Sequence, residues 1–360
     1  MLMRRSVSAA LSVRHRCLQV RSLASLKEQI TALREATGSG MVDCKKALTA
    51  SDGSFDDALA WLREKGLASA SKKAGRSTSE GLVAVAYGAD GRSSASLVEV
   101  NCETDFVAKT EIFQELVSAI AATSENLFLD PAALALDSDA LLAALLGAPV
   151  AGNDEYATVD LALAAMVGRV GENLRLTRVA RVAVPDPQLG AVASYVHKPA
   201  VAGGAIGNQA ALVAMSQVDG SARSLDDLAS AGRNFAMHVV AAQPLYLTCD
   251  DVPAEVLERE RNILLAEIAN EEAEALAAGA GSGKKARKPK PAEVIAKIVE
   301  GRVKKFMTEN VLLEQVCLVG NETGKATVSA LLPEGAALTG YQRFACGEVA
   351  AAAAEEEDAE

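Results

Sequence analysis

Aromatic residues are scarce in this 360-residue chain: one Trp, five Tyr and seven Phe, or 4%. Half of the residues are nonetheless apolar, so the apolar content is dominated by Ala, Val and Leu, as in helix-rich proteins. No stretch reaches the ~18 uninterrupted apolar residues of a membrane span. The nearest, residues 134–150, is broken by Asp137, Asp139, Gly147 and Pro149, and no membrane partner is expected. Positive charge is also short. A net charge of −11 argues against a nucleic-acid backbone as the main partner, because phosphate binding needs a positive field.

Paired cysteines are missing too. Cys17, Cys44, Cys102, Cys249, Cys317 and Cys346 contain no C-x-x-C, and His15, His197 and His238 stand apart from any H-x-x-x-H or H-x-E spacing. Neither a disulfide framework nor a metal site follows from such spacings. No Ser-His-Asp or Cys-His set assembles around His197 or His238. The expectation is a protein that is not an enzyme, with no cofactor and no metal.

Acidic residues are absent before Glu28, where Arg4, Arg5, Arg14, Arg16 and Arg21 sit among Ser, Ala, Val and Leu. That is the composition of an organelle transit peptide. We expect residues 1–24 to direct import, into the mitochondrion or alternatively the plastid. A secretory signal fits less well, since its apolar centre would be a short, Ser-interrupted run between arginines.

What is present reads as an ordered series of elements. Leu26, Ile30 and Leu33 recur at helical spacing up to Gly38-Ser39-Gly40. A second helix places Met41, Cys44, Ala47 and Leu48 on one face. A third, capped by Ser54 with Asp57 three residues on, carries Phe55, Leu59 and Leu62. Residues 25–68 thus read as a three-helix bundle of the UBA-like kind and 69–79 as its linker. The period then changes to two around Gly88-Ala89-Asp90-Gly91, predicting a hairpin, followed by a helix from Phe106 to Ala122 and further helices to Val170. Strands over 174–184, 190–196 and 210–216 precede a helix over 224–242. The strands-then-helix order occurs twice, so the fold class is α+β with a duplicated core, 80–184 and 185–348. Inserted in the second half is a helical hairpin over about 252–305, with its turn at Gly279–Gly283, followed by Lys284, Lys285, Arg287, Lys288 and Lys290. A last strand is expected over 338–346, and 349–360 ends in five acids and reads as a disordered tail.

Two glycine-rich segments imitate nucleotide motifs. Gly281-Ser282-Gly283-Lys284-Lys285 has Ala278 where a phosphate loop needs Gly, and no Ser or Thr after the Lys. Gly203-Gly204-Ala205-Ile206-Gly207 lacks the dinucleotide spacing. The five positive charges over 284–290 leave RNA binding as the alternative function.

Two segments carry more. Leu33-Arg34-Glu35-Ala36-Thr37-Gly38-Ser39-Gly40-Met41-Val42-Asp43-Cys44-Lys45-Lys46-Ala47-Leu48 and Val98-Glu99-Val100-Asn101-Cys102-Glu103-Thr104-Asp105-Phe106-Val107-Ala108-Lys109 closely resemble the two signature regions of the elongation factor Ts family. Val170-Gly171-Glu172-Asn173, Tyr195-Val196-His197, Ala236-Met237-His238-Val239, Glu300-Gly301-Arg302-Val303-Lys304-Lys305-Phe306 and Thr339-Gly340-Tyr341-Gln342-Arg343-Phe344 follow in the family's order. The resemblance implies a guanine-nucleotide exchange factor that promotes GDP release from elongation factor Tu, its GTPase partner. It implies that Asp105 and Phe106 protrude into that partner, the ring wedged near the magnesium and phosphate site. Arg34, Met41, Val42 and Lys45 match positions that contact the GTPase, with Val42 in place of a Met common in bacterial members. Val170, Gly171 and His197 match further contact positions. The residues themselves leave alternatives open: Phe106 in the core with Asp105 merely a cap, and Met41 and Val42 as a core-facing stripe.

Overall fold

The computed structural model describes residues 25–349 apart from 129–132, 134–135, 154–155, 202, 219–223, 283–290 and 323, and not the side chains of 272 and 275–282. The expected import segment, the basic cluster over 284–290 and the tail from residue 350 lie outside the described residues. The described chain forms two compact units. One holds the residues up to Leu82, Val98–Val179 and those from Cys346; the other holds Val83–Leu97 and Ala180–Ala345. The expected boundary at 184/185 therefore falls five residues earlier, and the tip of the first hairpin belongs with the second unit.

The first unit opens with α1 (Leu26–Thr37). Ser25 and Glu28 cap each other's backbone reciprocally, which satisfies two of the N–H groups a helix start leaves unpaired. Gly38, at φ +65°, ends the helix, its N–H bonded to the Arg34 carbonyl at 2.7 Å; the left-handed conformation suits Gly. α2 (Met41–Ala50) and α3 (Phe55–Lys73) complete the bundle. Its core is small: Leu33, Cys44, Ala47, Leu48 and Ala58, flanked by Ile30, Phe55, Leu59, Trp61 and Leu62. Ser54 caps α3 as expected, but the helix continues through five residues assigned to the linker. Ala68, Ser69 and Ala70 contain no breaker before Gly75, and Lys72 and Lys73 in the last turn suit the negative helix end.

The strand order β3-β2-β1 is formed by β1 (Glu80–Tyr87), β2 (Ser94–Cys102) and β3 (Leu174–Ala183), of which the first unit holds β1 up to Leu82, β2 from Val98 and β3 to Val179. The helix expected over 106–122 is two helices, α4 (Asp105–Ala108) and α5 (Glu111–Leu127). Thr110, extended at φ −76° and ψ 140°, separates them, and its hydroxyl bonds the Val107 carbonyl at 2.7 Å. The side chain thus competes with the helical ladder. α5 buries Phe113, Val117 and Ile120. α6 (Ser138–Gly147) and α7 (Val159–Val170) follow, capped by Asp137 and Thr158. α3 packs on α7 through small residues: a Cβ on Gly66 would lie 3.4 Å from the Ala164 carbonyl. α3 therefore serves both the bundle and the rest of its unit.

In the second unit β5 (Ile206–Gln217) is central. β4 (Gly190–Pro199) runs antiparallel along it from Gly190 opposite Ser216 to Pro199 opposite Gly207. β1 pairs with its start, at Val83 opposite Gly207, and β6 (Ala336–Ala345) with the remainder, from Gln209 opposite Ala345 to Gln217 opposite Ala336. α8 (Leu225–Ala242) covers the sheet, with Leu228, Phe235, Ala236 and Val239 in a core shared with Val213 and Met215. Buried His238 accepts the Leu318 N–H at Nδ1 and so donates from Nε2 to Gln315 Oε1 at 2.9 Å. Burial holds its pKa below the usual value. The hairpin is α9 (Ala254–Ser282) and α10 (Ala292–Asn310), joined by an ion pair of Arg302 with Glu267 at 2.8 Å. α10 runs five residues past the expected end at 305, and α9 runs into the expected turn at Gly279–Gly283, where alanines flank the glycines that should have stopped it.

Candidate functional site

A four-residue helix has no stability of its own, since nucleation costs more than one turn returns. The position of α4 is set instead by the chain on either side. Glu172 accepts from the Thr104 N–H at 3.0 Å and from the Thr104 hydroxyl at 2.6 Å. Glu103 accepts from the Asn173 N–H at 2.6 Å and from Arg76 at 3.3 Å. Asn173 in turn donates to the carbonyls of Ala74 and Arg76. Two adjacent pairs, Glu103-Thr104 and Glu172-Asn173, thus grip each other reciprocally by charge-assisted bonds, the stronger kind. The Asn173 N–H foremost, with Arg76, holds the Glu103 carboxyl below the usual carboxylate range. Thr104 stands at the N-cap of α4 without bonding its backbone, because its hydroxyl is committed to Glu172.

Within that frame α4 divides its side chains cleanly. Val107 and Ala108 are buried, and Phe106 is 77% exposed. Phe106 is therefore not a core residue. Asp105 pairs with Lys109 one turn on.

The bundle presents a second apolar surface. Met41 and Val42 are 61% and 65% exposed, and Arg34 and Lys45 are exposed beside them in sequence. The core stripe of α2 is Cys44, Ala47 and Leu48. Met41, expected on that face, sits at the first helical position, before packing begins. Asp43 pairs with Lys65, whose ammonium lies 5.5 Å from the centre of the Trp61 ring.

α7 ends at Gly171, at φ +80°, and Lys73 of α3 donates to the Gly171 carbonyl at 2.7 Å. Val170 is half-buried and Gly171 exposed, and Glu172 of the clamp follows directly. Gly38 at φ +65° and Gly171 at φ +80° both take the left-handed conformation that favours glycine, and a Cβ on Gly38 would in addition meet the movable end of the Arg169 side chain. The structure therefore places Arg34, Met41, Val42, Lys45, Asp105, Phe106, Val170 and Gly171 in the first unit. His197 lies on β4 in the second, its Nδ1 3.3 Å from the Tyr195 hydroxyl.

Sequence reasoning missed the roles of Glu103, Glu172, Asn173 and Lys73. Glu172 and Thr104 are 68 residues apart, so no local spacing links them. The available signal was two polar pairs lying beside the proposed contact residues in separate motifs. None of these groups is arranged as a nucleophile with its base; the site offers an exposed ring, carboxylates and fixed backbone, which suit protein contact.

The family model described as Elongation factor TS matches residues 103–348. Elongation factor Ts of Rhodospirillum rubrum is 41% identical over 323 residues, covering 89% of this chain and 91% of its own. Those of Paramagnetospirillum magneticum and Sphingopyxis alaskensis are each 42% identical, over 89% of this chain and 90% and 91% of theirs.

Proposed function

The chain belongs to the elongation factor Ts family, a nucleotide-exchange factor of translation elongation, and from that premise we propose that Phe106 and Asp105 are the group it drives into elongation factor Tu. The observation that carries this reading is the 77% exposure of Phe106 on a turn fixed by the Glu103-Thr104 and Glu172-Asn173 clamp. An unsupported exposed Phe would lose rotational freedom on binding; a clamped backbone has surrendered part of that entropy beforehand. A ring wedged beside a bound magnesium ion displaces groups that neutralise the diphosphate, and the nucleotide is held less firmly.

The chain performs no covalent chemistry in this scheme. Binding the nucleotide-free GTPase more tightly than the nucleotide-bound form lowers nucleotide affinity by the same factor. A ~10⁴-fold faster release needs ~5.5 kcal/mol at ~1.36 kcal/mol per decade, whereas burying one aromatic side chain supplies ~1.5–3 kcal/mol. Further contacts must contribute, and we assign them to Arg34, Met41, Val42 and Lys45 of the bundle, to Val170 and Gly171, and to His197. Stopped-flow release of a fluorescent GDP analogue from elongation factor Tu tests the reading: release should accelerate with this chain and saturate. Release unchanged by any concentration of the chain would overturn it.

We also propose import into an organelle, the mitochondrion in the first instance, on the acid-free, Arg-rich start of the sequence. Intact mass of the protein from isolated organelles should lack residues 1–24. Recovery of a chain beginning at Met1 would overturn the proposal.

A further inference from the structure

The first unit contains a cleft of about 280 Å³ whose lining is basic, in a protein of net charge −11. Arg63, Lys65 and Lys73 of α3 and Arg169 of α7 line it, together with the Ser69 and Thr37 hydroxyls. Lys65 is neutralised by Asp43, and Lys73 answers the carbonyl at the end of α7. Among the described residues, Arg63, Lys73 and Arg169 have no ion-pair partner, and the Arg169 Nε is buried without a hydrogen bond. Asp43 also lines the cleft but is held by Lys65, and the Gly171 carbonyl takes one donor of Lys73. Two guanidinium groups and the remaining Lys73 donors thus line the cleft without an ion-pair partner of their own.

The same unit holds the chain's exit toward its most acidic segment. Gly347 is pinned: its N–H bonds buried Glu99 at 2.8 Å, and a side chain there would collide with the Ser79 carbonyl. Glu99 is held by Arg178 at 2.6 Å. Lys73 is six residues from Ser79, at most about 21 Å along the chain. From Gly347, the eight residues to Glu355 span up to about 27 Å and the thirteen to Glu360 up to about 43 Å. The acids at Glu355, Glu356, Glu357, Asp358 and Glu360 follow a spacer of alanines. Tether length and charge both match.

We propose that residues 355–360 dock in this cleft, with carboxylates on Arg63, Lys73 and Arg169, so that the tail is an internal ligand of the first unit. A tethered segment meets its site at an effective concentration in the millimolar range, so a weak intrinsic affinity suffices. Such a tail screens the cleft from other anions and is displaced by any stronger one. The inference does not depend on which protein the chain acts upon.

The test uses the full chain with its tail neutralised, Glu355→Gln, Glu356→Gln, Glu357→Gln, Asp358→Asn and Glu360→Gln, and a fluorescent peptide of residues 350–360 added in trans. Anisotropy should show saturable binding that weakens at least fivefold with Arg63→Gln and with Lys73→Gln, and falls with added salt. The unaltered chain should bind the peptide at least tenfold more weakly, because its own tail is in place. Arg63 is exposed, so its variant keeps the test valid if Lys73→Gln loosens the helix end. Equal peptide binding by the unaltered and neutralised chains, or by the neutralised chain with and without Arg63→Gln, would overturn the proposal, as would no binding to the neutralised chain.

Discussion

Two surfaces of the first unit expose apolar side chains and are held in place by opposite means. α2 rests chiefly on apolar burial: its N-cap, Gly40, makes no side-chain bond, one half-exposed ion pair joins Asp43 to Lys65, and Cys44, Ala47 and Leu48 fix it to a core of five fully enclosed residues. α4 buries two small side chains and owes its position to the polar clamp on either side. A face built on burial tolerates changes of charge and fails when volume is removed; a face built on hydrogen bonds does the reverse. The pair therefore separates the affinity of a contact from the rigidity that makes it effective.

The sharpest break in that pairing is Leu33→Ala. Leu33 is fully buried in the bundle's five-residue core, and truncation should cost ~2–5 kcal/mol. Hydrogen exchange should show α1 and α2 opening while the amides of α4 keep their protection. Loss of protection in both would mean that the clamp leans on the bundle.

Phe106→Ala should do the converse. An exposed side chain leaves stability within about 1 kcal/mol, yet its removal should slow GDP release roughly ten- to a hundredfold, from ~1.5–3 kcal/mol at ~1.36 kcal/mol per decade. Thermal unfolding and stopped-flow release, measured on one preparation, check both halves. A variant that releases GDP at the unaltered saturated rate would place the wedge elsewhere.

Glu172→Gln should have a smaller effect, because the ring remains and only its support weakens. Charge-assisted bonds contribute ~1.5–3 kcal/mol, and the clamp keeps its Glu103 half. We expect faster amide exchange at Phe106 and Val107 and a release rate between those of the unaltered chain and Phe106→Ala. Acidification provides an independent handle on the other half. The Glu103 pKa is depressed by the Asn173 N–H and Arg76, so its contribution is complete above the usual carboxylate pKa and is lost as pH falls through the lower folded value. α4 protection should therefore hold from pH 7 to 5 and decline only below. Loss near neutrality would point to another group.

How much of this was legible beforehand follows from the same contrast. The stripe Leu33, Cys44, Ala47, Leu48 repeats locally, so the bundle could be read from spacing, as could the hairpin and the helix cap at Ser54. The break at Thr110 was hidden because Phe106 to Ala122 keeps a helical pattern while a threonine hydroxyl competes for a carbonyl. α3 was cut short because small residues look like linker until the facing α7 is known. Exposure of Phe106 was not readable at all: a Phe in isolation is usually buried, and only the family resemblance pointed outward. The clamp was invisible for a geometric reason, since its partners follow β2 and α7 and lie 68 to 70 residues apart in the chain.

The smallest expected effect belongs to Lys45→Ala and sharpens the comparison most. Lys45 is exposed on α2, one turn from Met41, and Ala is the better helix former, so folding should change by less than ~0.5 kcal/mol. A rim charge mainly aids encounter and affinity. The half-saturation of GDP release should rise roughly three- to tenfold, about 0.7–1.4 kcal/mol, while the rate at saturating factor stays as it was. The difference should shrink in high salt, where exposed charges are screened, and Lys46→Ala, the next position round the helix, should show none of it. If Lys45→Ala lowers the saturated rate instead, the bundle takes part in nucleotide release itself. If it leaves half-saturation unchanged, the outward face of α2 is not the surface that supplies affinity.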